Sequence, residues 1–232
     1  MHLSRVRVDL NGLARGDLFA IMNGEPYGAH QLLWRLFPGY SGPRPFLFRQ
    51  ELEEGSDGRQ VPKGLPLFYV LSEREPVGVA GLLEVESKPF APQLRIGDIL
   101  SFRLRANPTL ARRSAETKRS HRSDVLMHAK SAFAIGERTS AACVEAMDEA
   151  ARQWLVGRSD KAGFRLHGNP VIGGYRQHAL DKASRRSPIQ FSSVDYEGLL
   201  EVTDVDAFTA RLLEGLGRAK AFGCGLMLIR RT

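Results

Sequence analysis

Apolar and polar residues alternate in HLSRVRVD, residues 2–9, where Leu3, Val6 and Val8 mark a strand. LARGDLFAIMNG, residues 13–24, reads as a short helix closed at Asn23-Gly24. Glu25-Pro26 opens a second helix, because the missing N–H of proline is an orphan in a first turn anyway. This helix, YGAHQLLWRLFPG, gathers Leu32, Leu33, Leu36 and Phe37 on one face, and Pro38-Gly39 ends it. PFLFRQELEE follows as a strand with Phe46 and Phe48 facing one way, and EEGSDGRQVPKG as an acidic loop. LPLFYVLSE, continuously apolar, reads as a buried strand, and LLEVESKPF as another.

The order strand, helix, strand, strand, weak link, strand is that of a ferredoxin-like βαββαβ unit. A second such order follows. DILSFRLRANP is a strand that proline stops. Residues 111–123, ARRSAETKRSHRS, are basic and polar without apolar periodicity and read as a mobile loop or linker. VLMHAKSAF makes a helical turn or two. TSAACVEAMDEAARQWLVG is an amphipathic helix whose apolar face holds Val144, Met147, Ala151, Trp154 and Leu155, capped by Thr139 or Ser140. FRLHGNPVIGGYRQHAL is a strand broken at Gly168-Asn169-Pro170, and IQFSSVDYEGLLEV a strand bent near Gly198. VTDVDAFTARLLEGLG is a helix capped by Thr203 or Asp204, and LMLI a last strand. The expected fold is α+β, two tandem ferredoxin-like domains over residues 1–95 and 96–232, their boundary falling near 90–97.

Charge divides along the same line. Of a net +7, residues 1–97 carry none, with 11 Lys/Arg against 11 Asp/Glu, while residues 98–232 have 22 against 15. A basic half beside a neutral half suggests a polyanion, RNA or DNA first. No apolar run is long enough to span a membrane, and MHLSRVRVDL has no signal-peptide core. Two distant cysteines, Cys143 and Cys224, form no disulfide framework, so a reducing cytoplasm is expected. The six histidines include no ligand spacing for a metal, and no cofactor motif is present.

Three groups of residues carry candidate chemistry. In the second helix Tyr27 precedes His30 by one turn, so phenol and imidazole share a face. Imidazole passes protons near neutral pH, and Arg35, a turn beyond, adds positive charge. The plainer alternative is that both are ordinary surface or half-buried helix residues. Arg158, Lys161, Arg165, Arg176, Lys182, Arg185 and Arg186 crowd 29 residues that hold only Asp160 and Asp181, a pattern able to follow a phosphate backbone or simply to face solvent. GLGRAKAFGCG brackets Arg218 and Lys220 between Gly215/Gly217 and Gly223/Gly225, either a tight turn or a phosphate cradle.

MHLSRVRVD, YGAHQLLWRLFP, FRLRANPT and GLGRAKAFGCGL together resemble the CRISPR-associated endoribonucleases of type I-E systems, the CasE family of the repeat-associated RNA-binding superfamily. The last segment fits the superfamily pattern GΦGxxxxxGΦG, with Leu216 and Cys224 as the apolar positions. The resemblance spans essentially the whole chain. It implies metal-independent cleavage of CRISPR precursor RNA within each repeat, at the base of a stem-loop. It also implies retention of the product and membership of the type I-E Cascade complex. Tyr27 and His30 match the catalytic tyrosine and histidine of the family. An RNA-gripping hairpin would draw on residues between Arg158 and Arg186, and Arg218 and Lys220 would face RNA. The rival expectations are a non-catalytic RNA-binding subunit of the same fold, and a small-molecule enzyme or sensor.

Overall fold

In the computed structural model, residues 1–9, 26–52, 66–113, 120–180 and 189–232 are described. The helix expected at 13–24 and the acidic loop lie outside them. The chain divides into two units, Met1–Pro92 with Lys220–Leu226, and Gln93–Ala219 with Met227–Thr232. The expected second domain, 96–232, thus yields Lys220–Leu226 to the first unit. Seven residues packing away from their sequence neighbours leave no mark in a local hydrophobic pattern.

The first unit contains strand β1 (His2–Val8), helix α1 (Pro26–Trp34) and strands β2 (Phe46–Leu52), β3 (Pro66–Ser72) and β4 (Leu83–Pro89). The sheet order is β2-β3-β1-β4 with antiparallel neighbours, the interleaved order of a ferredoxin-like unit. Where a second helix would stand, residues 73–78 are irregular and 79–82 make a turn closed by a Val79–Leu83 bridge. Ala29, Leu32, Leu33 and Leu36 recur at helical spacing and pack on Val6, Val8, Phe46, Phe48, Phe68 and Val70. Full burial of each such Leu, Val or Phe contributes about 1.5–3 kcal/mol. Past Trp34 the helix tightens into i→i−3 bonds, such as Leu36 N–H to the Leu33 carbonyl, before Pro38 stops it.

The second unit contains β5 (Ile99–Ala106), β6 (Thr109–Arg113), β7 (Ser120–Asp124), α2 (Val125–Ser131), α3 (Ala141–Ser159), β8 (Phe164–Leu180), β9 (Ile189–Val202), α4 (Val205–Glu214) and β10 (Met227–Arg231). Its sheet order β10-β5-β9-β8 repeats the interleaving. Between β5 and α3 it inserts the β6–β7 ribbon and α2. The segment 111–123, expected to be a loop, therefore lies largely in strands over its described residues. A two-stranded ribbon need not bury alternate side chains, so its sequence lacks the periodicity of a sheet strand.

Ser140 caps α3 by accepting from the Cys143 N–H, and Asp204 caps α4 by accepting from the Ala207 N–H. On α3, Cys143, Ala151, Trp154 and Leu155 are buried, whereas Val144, expected inside, is exposed. β8 is continuous through the expected break, which appears as a register shift between His167 and Val171, with another between Gly173 and Arg176. Tyr196 of β9 stacks on Trp154 at 6.1 Å and donates its hydroxyl to the Ala151 carbonyl.

Candidate active site and nucleic-acid interface

Helix α1 carries Tyr27 in its first turn and His30 one turn later. The Tyr27 side chain lies outside the described set. His30 is half-buried, its ring 6.0 Å from that of Phe46 and edge-on to Trp34 at 6.2 Å. The Trp34 indole N–H donates to His30 Nε2 at 3.0 Å, across one helical turn. His30 Nδ1 is buried without a hydrogen-bond partner. Burial, and secondly the Arg44 guanidinium, hold the imidazole below its usual pKa, so it is neutral at pH 7.

Arg44 lies between two prolines ahead of β2, its guanidinium 5.8 Å from the centre of the Phe46 ring. Its buried Nε has no hydrogen-bond partner, and burial lowers its pKa, though a guanidinium stays charged. Arg35, the cation expected near His30, is exposed just past the end of α1. Five positions on a helix turn a side chain about 140° away from His30. No spacing rule along the chain links Arg44 to α1. The signal for Trp34 was present, since residues four apart on a helix are neighbours.

The glycine-rich segment is shared between the units. Gly215, Gly217, Gly223 and Gly225 all adopt positive φ, between 79° and 96°. Leu216 and Cys224, the apolar positions of the motif, are buried. A Cβ on Gly217 would stand 3.2 Å from the Trp154 ring, and one on Gly223 3.2 Å from the Phe48 ring. Lys220–Phe222 forms a 3-10 turn packed against α1 and β2. Lys220 thus accompanies the helix that carries His30, while Arg218 belongs to the second unit.

In the second unit Arg158 lies over the Trp154 ring at 4.1 Å and donates to the Trp154 and Thr109 carbonyls. Arg158, exposed Arg218 and exposed Arg122 of β7 line a cavity of about 280 Å³ beside Gly217. Arg122 and Arg218 also border a neighbouring cavity of about 530 Å³ that reaches Gln177, Gln190 and Ser192. Arg122 lies in the segment 111–123, whose sequence carries no strand periodicity to single it out.

Of the other expected cations, none among the described residues lines either cavity. Arg165 meets Glu201, its register partner on β9, through two guanidinium nitrogens at 2.7–2.9 Å. Lys161 is exposed on the turn after α3, and Arg176 is exposed on β8. Lys182, Arg185 and Arg186 lie outside the described residues. Among the described residues no three His, Cys, Asp or Glu side chains form a metal-binding group. No described helix is long and apolar enough to cross a membrane.

A protein family described as CRISPR associated protein matches residues 1–231. This chain belongs to that CRISPR-associated family. Within it, the Cascade subunit CasE of Escherichia coli is 27% identical over 202 residues, covering 87% of this chain and 89% of the relative. The endoribonuclease Cse3 of Thermus thermophilus is 30% identical over 211 residues, covering 87% and 81%. The structure of Thermus thermophilus Cse3 bound to an RNA representing a pre-cleavage complex superposes with a TM-score of 0.64 at 28% identity, covering 99% of this chain and 100% of that one. The CRISPR-associated fold of two ferredoxin-like units extends across both chains.

Proposed function

We propose that this chain is an endoribonuclease that cuts CRISPR precursor RNA within its repeats, at the base of a stem-loop. It keeps the mature RNA as a subunit of a type I-E Cascade complex in the cytoplasm. The observation that carries the catalytic reading is His30, a neutral, half-buried imidazole beside the Arg44 cation. The end-to-end family match and the similarity to RNA-bound Cse3 support the substrate class.

The nucleophile is already in the substrate, so the reaction needs no metal to generate one. The ribose 2′-hydroxyl attacks the neighbouring phosphate while neutral His30 accepts its proton. Tyr27 orients the hydroxyl or the phosphate. Arg44 stabilises the charge that builds on the phosphate oxygens, an effect strengthened by its partial burial. The 5′ oxygen leaves and takes a proton from water, giving a 2′,3′-cyclic phosphate and a 5′-hydroxyl.

The stem is held mainly through phosphates, since the deep major groove of A-form RNA hides base edges. Arg122, Arg158 and Arg218 form the cationic cluster suited to this, with Lys161, Arg176, Arg185 and Arg186 as further contacts. The deciding experiment incubates a repeat stem-loop with the protein in EDTA and maps the ends. Cleavage at the stem base, lost in His30→Ala and with a 2′-deoxy nucleotide 5′ of the cut, is expected. Binding without cleavage would instead identify a non-catalytic RNA-binding subunit.

A further inference from the structure

A neutral imidazole has one N–H and one lone pair. An indole N–H can only donate. The 3.0 Å bond from Trp34 Nε1 to His30 Nε2 therefore requires an unprotonated Nε2 and places the ring proton on Nδ1. Both valences of the ring are then occupied. The lone pair receives the Trp34 N–H, and Nδ1 holds its own proton in a buried position without a partner.

The indole is itself fixed. It stacks on Tyr40 at 6.3 Å and meets the Phe46 ring edge-on at 5.8 Å. Among the described residues the charged group acting on the imidazole is Arg44 ahead of β2; Lys220 lies on the turn packed against α1 and β2, and Tyr27 is on the same helix. Arg49 and Glu51 of β2 pair with each other, alternating away from the Phe46 and Phe48 face. A group in this setting can accept a proton only at Nε2, the atom that Trp34 already engages.

We propose that Trp34 is a positioning residue for His30: its indole N–H fixes the Nδ1–H tautomer and yields the Nε2 lone pair to the ribose 2′-hydroxyl when RNA is seated. This rests on the reading of His30 as the proton acceptor. The 2′-hydroxyl proton passes to Nε2 as the 2′ oxygen bonds to phosphorus and the bond to the 5′ oxygen breaks. The resulting imidazolium carries a proton on both nitrogens and can no longer accept from Trp34. The indole therefore opposes protonation in the free protein, in the same direction as burial and Arg44.

Trp34→Phe in the full chain keeps an aromatic ring and removes the N–H. Nitrogen NMR of the wild type should show His30 with a protonated Nδ1 and a bare Nε2. In Trp34→Phe the His30 titration should move up by about 0.5–1 pH unit, the size of one neutral hydrogen bond. The acid limb of single-turnover cleavage under sub-saturating conditions should move with it. An Nε2–H tautomer in the wild type, or an unchanged His30 titration in Trp34→Phe, overturns the proposal. If Trp34→Phe does not fold, the wild-type tautomer decides alone. Undiminished cleavage by His30→Ala would instead sink the catalytic assignment and leave the tautomer result standing.

Discussion

The backbone of Gly223 lies so close to Phe48 that an added Cβ would stand 3.2 Å from its ring, at a φ of +80°. Gly223→Ala therefore combines left-handed strain with crowding of the core. It should lower unfolding stability by about 1–3 kcal/mol, read from the midpoint of urea unfolding. Gly39→Ala, at φ +71° with open space around it, should show only the strain and cost less. Equal costs would mean that the contact with Phe48 contributes nothing.

His30→Ala should slow single-turnover cleavage by about 10²–10⁴-fold with RNA affinity nearly intact. Arg44→Ala should cost about 10²–10³-fold, as for loss of one oxyanion-stabilising donor. Arg35→Ala, at an exposed position past the helix end, should cost far less than Arg44→Ala. The reverse order of the two arginines would restore Arg35 as the cation of the site.

RNA affinity should fall steeply with salt, and the slope counts phosphate contacts. Arg218→Ala should reduce the slope by about one unit without favouring any sequence. Arg165→Ala should leave the slope nearly unchanged, because Glu201 already holds its guanidinium. Arg158→Ala should in addition destabilise the second unit, since its guanidinium lies over the Trp154 ring and its N–H groups bind two carbonyls.

His30 and His178 both titrate below the ordinary histidine value of 6.5. For each the first cause is burial. Arg44 adds to it for His30, and Arg105 and Arg176 for His178. Between those depressed values and 6.5 the unfolded chain binds more protons than the folded one, so stability rises with pH across this window. Urea midpoints should be lower at pH 5.5 than at 7.5, and the difference should shrink in His178→Gln. An undiminished difference in His178→Gln would mean that His178, stacked on Phe191 at 4.4 Å, contributes nothing to it.

What could be read from the chain follows physical range. The apolar face of α1 was legible because its neighbours lie three and four residues apart, and the same spacing joins His30 to Trp34. The two interleaved sheets were legible as an order of elements. The neutralisation of Arg165 was not, because Glu201 reaches it only through strand register, 36 residues away. Arg44 was equally hidden. Its place beside His30 depends on how the turn after α1 leads into β2, which no local periodicity encodes. The Arg122 ribbon escaped because two strands paired only with each other need no buried face.

The return of Lys220–Leu226 to the first unit sets a timetable for synthesis. Roughly 130 residues separate Pro92 from Lys220, about 6–26 s of translation at ordinary bacterial rates. Throughout that interval the nascent first unit lacks the turn that packs on α1 and β2, and Phe48 has no Gly223 against it. The helix bearing His30 gains this packing only once Lys220–Leu226 has been made, so a chain that stops before Lys220 leaves that helix without its partner turn.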